Sequence, residues 1–126
     1  MTIEDLARWM DAYGAACVSN DPADVRALFS ADAVYYTSPY KPPWVGREKI
    51  VEMWTADPEN QQELTFGHEP LSVEGDTGIA HWNMTWVTGT SDKARAELDG
   101  ILVLRFDSEG RCSDHREWFF RRESSL

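Results

Sequence analysis

The hydrophobic period of this chain changes near Pro58, and that change restricts the folds open to it. Upstream, Leu6, Trp9, Met10, Tyr13, Ala16 and Cys17 recur at the three-and-four spacing of one helix face. Downstream the period is two. Residues 77–89 alternate Ala80, Trp82, Met84 and Trp86 against His81, Asn83 and Thr85, residues 95–107 run into Leu102-Val103-Leu104-Arg105-Phe106, and residues 111–121 form a last extended run. Residues 62–73 read as a less regular strand, in which Pro70 marks a bulge or an edge because proline has no amide proton to give a ladder. Helices followed by a strand meander predict an α+β fold with the helices on one face of an antiparallel sheet.

The apolar stripe predicts a first helix over residues 3–19. Asn20-Asp21-Pro22 then stops one helix and starts another, since Asp caps orphan amides and Pro is tolerated at a first helical position. The second helix is short, ending near Phe29. Ala33 to Ser38 reads as a strand, and Pro39, Pro42 and Pro43 stiffen the loop after it. A third helix opens at Gly46, carries Ile50, Met53 and Trp54 on one side and halts at Asp57-Pro58. No repeat or linker interrupts residues 1–126, which fit one domain.

The chain carries 12 Lys and Arg against 22 Asp and Glu, a net charge of −10. That argues against nucleic acid and anionic lipid as partners, because either needs a positive face. Met1-Thr2-Ile3-Glu4-Asp5 is acidic where an export signal carries positive charge, and no apolar run approaches the roughly 20 residues that span a bilayer. A cytoplasmic protein without membrane contact is expected. Cys17 and Cys112 have the spacing of neither a zinc site nor a redox motif and read as buried thiols. No cofactor is implied. His68, His115 and Glu117 are the candidate two-His, one-carboxylate metal face, without close His spacing to support it, and no metal is expected. Asn83-Met84-Thr85 matches a glycosylation sequon but lies within a predicted strand.

The order helix, helix, strand, proline-rich loop, helix and four strands resembles the nuclear transport factor 2 superfamily. Leu28-Phe29 followed by Asp32-Ala33, Ser38-Pro39, Gly46 opening a helix that ends in Met53-Trp54, Asp99-Gly100, Arg105-Phe106-Asp107, Gly110 and Arg116-Glu117-Trp118 resemble its SnoaL-like, polyketide cyclase-like branch over nearly the whole chain. The resemblance implies three helices on a strongly curved antiparallel sheet, a cone-shaped, cystatin-like α+β barrel enclosing a pocket for a small hydrophobic molecule. It implies no single activity, because this fold hosts isomerases, cyclases, dehydratases, epoxide hydrolases and non-catalytic binding modules. By comparison with ketosteroid isomerase, the pocket side holds Tyr36 and Ser38, then Trp82, Met84 and Trp86, then Leu102, Leu104, Ser113, His115, Glu117 and Phe119. Tyr13 and Trp54 enter from the helices, and Tyr40 and Trp44 guard the mouth.

Ketosteroid isomerases place a carboxylate base just before the proline of the first strand, and a Tyr and a protonated Asp opposite it. Tyr13 matches the helical tyrosine, but Ser38 and Leu102 stand where the two carboxyl groups belong. The usual isomerase mechanism is therefore excluded. Limonene epoxide hydrolases carry their water-activating Asp in a segment that corresponds to Arg116-Glu117-Trp118-Phe119, which makes Glu117 the matching carboxylate. Their partner Arg and Asp correspond here to Trp82 and Met84.

What remains is Glu117 with His115, two apart on one strand face, and Tyr13 opposite to polarise a carbonyl. Burial beside tryptophans is expected to raise the Glu117 carboxyl toward neutrality, suited to acid–base work. In the alternative reading Glu117 serves a buried donor, Trp54 Nε1, Trp82 Nε1 or Tyr13. Outside the cone, Ile101 and Val103 lie beside Trp118 and Phe120, an apolar patch that predicts a homodimer through the outer sheet face. Three functions stay open: an acid–base enzyme on a small apolar carbonyl-like molecule, a dimeric binding module, and a protein-interaction domain whose cone is filled by its own side chains.

Overall fold

The computed structural model describes residues 1–56, 61–89 and 92–126. Helix α1 (Ile3–Ser19) opens at a capping box in which the Thr2 hydroxyl accepts from the Asp5 amide and the Asp5 carboxylate accepts from the Thr2 amide. Its buried face is the predicted stripe, Leu6, Trp9, Met10, Tyr13 and Ala16, joined by Gly14, while Cys17, also expected in the stripe, is only half-buried. Asn20 takes the left-handed conformation that ends α1, and Asp21 caps α2 (Pro22–Arg26) by accepting from the Ala23 amide. Helix α3 spans Arg47–Trp54; the halt expected at Asp57-Pro58 lies outside the described residues. None of the described helices is long and apolar enough to cross a membrane.

The strands are β1 (Phe29–Tyr36), β2 (Trp44–Val45), β3 (Gln62–Glu74), β4 (Thr77–Thr88), β5 (Ala94–Phe106) and β6 (Cys112–Ser125). They form one curved sheet in the order β2-β1-β6-β5-β4-β3. Two features correct the expected antiparallel barrel. Strand β1 runs parallel to β6, with Tyr35 opposite His115, so the sheet is mixed. It also stays open, with β2 and β3 as its edges. A parallel pair needs a long crossover, and everything between β1 and β6 supplies it, a pairing that local sequence does not announce. Strand β1 also begins earlier than expected, because the Cys112 amide donates to the Leu28 carbonyl and sets Phe29 opposite Cys112. Pro70 does sit on an edge strand, at a slip in the β3–β4 register.

The concave face receives α1 where the sheet makes room. A Cβ at Gly78 would come within 2.9 Å of Leu6 Cδ1, so the absent side chain is the seat of the helix. Trp9 packs edge-on against Phe29 and Phe106, and its Nε1 donates to the Leu28 carbonyl at 3.1 Å. Beneath it Leu102 and Leu104 are fully buried. A second glycine shapes the next row along the cone. Gly100 lies between Trp82 on β4 and Phe119 on β6, whose rings meet across it at 5.9 Å. A Cβ there would overlap the Trp118 carbonyl oxygen and crowd Phe119 Cβ to 2.7 Å. Gly100→Ala is therefore expected to destabilise the protein by about 1–3 kcal/mol in urea unfolding with an unchanged m value, the usual cost of an extra methyl in a packed site. A variant as stable as the wild type would show that β5 does not need the glycine.

Candidate functional site

Alternation on β6 directs His115, Glu117 and Phe119 to the concave face, and the parallel register of β1 sets Tyr35 beside His115. The His115 ring is fully buried, stacked on Tyr35 with ring centres 3.8 Å apart and on Tyr13 at 5.6 Å. Trp44, paired with Tyr35 through β2, stacks on its other side at 4.7 Å, and Trp54 of α3 meets Tyr13 edge-on at 5.1 Å. The aromatic packing holds each ring in place.

These side chains make one hydrogen-bonded line. Tyr35 Oη donates to Glu117 Oε1 at 2.7 Å, the Tyr13 and Tyr35 hydroxyls lie 3.2 Å apart, and His115 Nε2 lies 3.2 Å from Tyr13 Oη. Because Tyr35 gives its proton to Glu117, its oxygen takes the Tyr13 proton, and Tyr13 accepts in turn from His115 Nε2–H. That assigns the His115 tautomer. Nδ1 is left bare, without a hydrogen-bond partner among the described residues, 3.9 Å from Glu117 Oε1.

Burial governs the protonation states. It pushes the Glu117 carboxyl up to about 7, against the opposing effect of the Tyr35 bond, and pushes His115 down to about 3, so the imidazole is neutral. Both phenols rise, through burial first and the nearby Glu117 charge second, and remain protonated donors. The Cys17 thiol is pushed up to about 12 by burial and is no thiolate nucleophile.

Glu117, Tyr13 and Tyr35 open onto a hollow of about 210 Å³ walled by Trp44, Trp54, Leu64, Phe66, Trp82, Met84, Leu98 and Phe119, with Cys17, Asn20, Met53 and Gln61 completing it. Among the described residues no Lys, Arg or His lines it. Glu117, with 13% of its side chain exposed, is the one carboxylate among the described residues on this wall. The hollow is smaller than the roughly 300–1,000 Å³ of sites for drug-sized ligands.

Tyr13, Trp44, Trp54, Trp82, Met84, Glu117 and Phe119 line the hollow as the sequence suggested. Others do not. Tyr36 lies on the opposite face of β1 from Tyr35, with the Arg116 guanidinium 4.4 Å over its ring. Ser38 lies past the end of β1, where its hydroxyl accepts from the Tyr40 amide at 3.2 Å, and Tyr40 is 95% exposed. Trp86 and Leu102 share the concave face but are core: Arg121 covers Trp86 at 5.3 Å, and Leu102, like Leu104, has no exposed surface. His115 stands behind Tyr13 and Tyr35 rather than at the wall. Ser113 falls in a slip of the β5–β6 register and donates to the Arg105 carbonyl. His68 binds Asp11 at 2.7 Å, tying β3 to α1, and among the described residues no cluster of three His, Cys, Asp or Glu could hold a metal ion. Tyr35 and Phe66 are site residues that sequence reasoning missed; the Tyr35-Tyr36 pair signals an inward tyrosine without saying which.

A family profile described as the SnoaL-like domain matches residues 6–115. No curated protein sequence matches the chain. Among solved structures, TsrD from Streptomyces laurentii superposes with a TM-score of 0.76 at 15% identity, covering 94% of this chain and 90% of that one. A protein described as a SnoaL-like polyketide cyclase from Shewanella denitrificans gives 0.75 at 16% identity, covering 90% and 89%. SalBIII, described as an epoxide hydrolase/cyclase-like enzyme in pyran ring formation in the polyether salinomycin, gives 0.73 at 14% identity, covering 93% and 88%.

The protonation states predict a pH signature. His115, depressed by folding from 6.5 to about 3, contributes stability above pH 6.5 that is lost as pH falls; Glu117, raised from 4.5 to about 7, contributes stability at low pH that is lost as pH rises through 7. Between about pH 4.5 and 6.5 the native state holds the Glu117 proton and the unfolded chain the His115 proton, so the two slopes cancel. In Glu117→Gln only His115 remains, and stability is expected to fall by about 1.4 kcal/mol per pH unit on acidification across that window. Paired urea titrations read this as a difference from wild type in which the other carboxylates cancel. Equal slopes in the two proteins would refute the assignment.

Proposed function

Because the chain belongs to the SnoaL-like domain family, we propose that its hollow binds a small, uncharged, largely apolar molecule and that Glu117 performs acid–base chemistry on it, of the isomerase, cyclase or hydrolase type. The observation that carries this reading is a buried carboxyl at the wall of an aromatic hollow that no cation among the described residues lines, where burial raises it to about 7. A group titrating there is half ionised at neutral pH, able to take a proton from an activated carbon or a water and return it elsewhere in the same molecule. Tyr35 orients the carboxylate; Tyr13 and the neutral His115 orient Tyr35. His115 is thus a positioning residue. The relatives described as cyclases and as an epoxide hydrolase/cyclase-like enzyme are consistent with this class of chemistry.

The alternative, a non-catalytic dimeric module with a largely filled cone, draws on the small hollow and on Trp86, Leu102 and Leu104 filling the space beyond it. One variant separates the two. Ligands are first found by tryptophan fluorescence with a panel of small ketones, epoxides and cyclic ethers, since Trp44, Trp54 and Trp82 line the hollow. In Glu117→Gln, binding is expected to persist while turnover of any converted hit falls by about 10²–10⁴-fold, the usual contribution of a positioned acid or base. Turnover unchanged by the substitution would remove Glu117 from the chemistry.

The outer sheet face supports a homodimer. Ile101 stands opposite Trp118 and Asp99 opposite Phe120 in the β5–β6 register, and Trp118 and Phe120 are 47% and 88% exposed. Rings of that size on a solvated sheet face are an unstable surface for a lone chain. A cytoplasmic setting suits the free thiols Cys17 and Cys112. Sedimentation at micromolar concentration is expected to give twice the chain mass, and Phe120→Glu to give the monomer. A wild-type monomer in that run would overturn the dimer.

A further inference from the structure

We infer that Glu117 Oε2 selects the ligand by hydrogen-bond polarity: protonated, it takes molecules whose polar group is an accepting oxygen, and ionised, it takes molecules that present an N–H or O–H. The inference deepens the small-molecule reading above and rests on it. It follows from where the other protons of the site go. Tyr35 donates to Glu117 Oε1 and Tyr13 donates to Tyr35, so neither phenol has a hydrogen left for a ligand while that line is intact. His115 stands behind both and off the wall.

Oε2 is the oxygen that this line leaves over. Among the described residues it has no hydrogen-bond partner, and it is not one of the atoms sealed from solvent without one, which are Arg47 Nε, His68 Nδ1, Trp82 Nε1 and His115 Nδ1. The exposed 13% of the side chain therefore includes Oε2, on a residue that lines the hollow. A carboxylate oxygen only accepts, whereas a neutral carboxyl carries one O–H. With Oε1 receiving the Tyr35 proton, and His115 Nδ1 beyond hydrogen-bond distance of it at 3.9 Å, the carboxyl's own proton belongs on Oε2. The hollow thus meets a donor or an acceptor at one point, according to charge. The titratable groups around Glu117 are Tyr13 and Cys17 on α1, Tyr35 on β1 and His115 on β6; burial keeps all four uncharged near neutrality and brings Glu117 to about 7. Strands β2 to β5 and helix α3 present only aromatic and apolar side chains to the hollow among the described residues.

The test uses three bicyclic probes of similar shape: 1-indanone, whose carbonyl accepts, indole, whose N–H donates, and indene, which does neither. Met53 and Met84 line the hollow, so their ¹³C-methyl resonances, assigned with Met53→Leu and Met84→Leu, report binding from groups that do not titrate. From about pH 5.5 to about pH 8.5, 1-indanone is expected to bind about tenfold more weakly and indole about tenfold more tightly, the effect of one hydrogen bond, with indene unchanged. In Glu117→Gln the amide oxygen accepts from Tyr35 and the amide nitrogen faces the hollow as a permanent donor. There 1-indanone is expected to keep its acid-side affinity at both pH values. If the three probes respond to pH in parallel, or the 1-indanone dependence survives in Glu117→Gln, Oε2 does not meet the ligand; that overturns the inference and leaves the hollow standing. If no probe moves either methyl, the small-molecule reading fails and this inference with it.

Discussion

A carboxylate placed among aromatic rings must be answered by donors, and in this protein the answer is the 2.7 Å bond from Tyr35 to Glu117. The architecture around the hollow serves that contact. Parallel pairing of β1 with β6 brings Tyr35 within reach, the short β2 lays Trp44 on the outer side of its ring, and α1 supplies Tyr13 to satisfy its oxygen. Each partner in the line is uncharged, so the carboxyl gains hydrogen-bonding support without a cation to hold it ionised. That is why burial wins and the group is raised rather than lowered.

Much of the fold was legible because its signals are local. The α1 stripe, the Asp21 cap and the Pro70 irregularity each depend on a few neighbouring residues, and each stands where the sequence put it. The errors are non-local. In β1 both faces carry an apolar and an aromatic residue, Ala33 and Tyr35 on one and Val34 and Tyr36 on the other, so alternation cannot choose between them. The choice is made by β6, some 80 residues downstream, whose parallel register places Tyr35 on His115 and Tyr36 on Arg116. Trp86 and Leu102 fail for a different reason. Alternation assigns a face but not a depth along the cone, and only packing of α1 and Arg121 tells core from wall.

The comparison with steroid isomerases then acquires a physical meaning. At Ser38 the chain has already left β1, and its hydroxyl stabilises a loop, so the position that carries the base in those enzymes is not part of this wall. At Leu102 the side chain is fully buried in the hydrophobic core. Both carboxyl positions have thus been absorbed into structure, and among the described residues the one carboxylate on the wall sits on β6 instead. Moving the base to β6 changes what faces it. Glu117 shares the hollow with Trp82 of β4, and the phenols of Tyr13 and Tyr35 are turned to hold the carboxyl.

This arrangement sets the electrostatics of the hollow. The whole chain carries a net charge of −10, and no cationic side chain among the described residues lines the wall. An anionic ligand would meet the Glu117 charge with nothing to offset its own desolvation, a cost that rises as the surroundings become less polar. A neutral apolar ligand meets no such penalty, but it displaces water from the only exposed part of Glu117 and favours the protonated carboxyl further. A base that must work in that setting needs the reacting proton to become more acidic on binding. Polarisation of a ligand's own oxygen would do this.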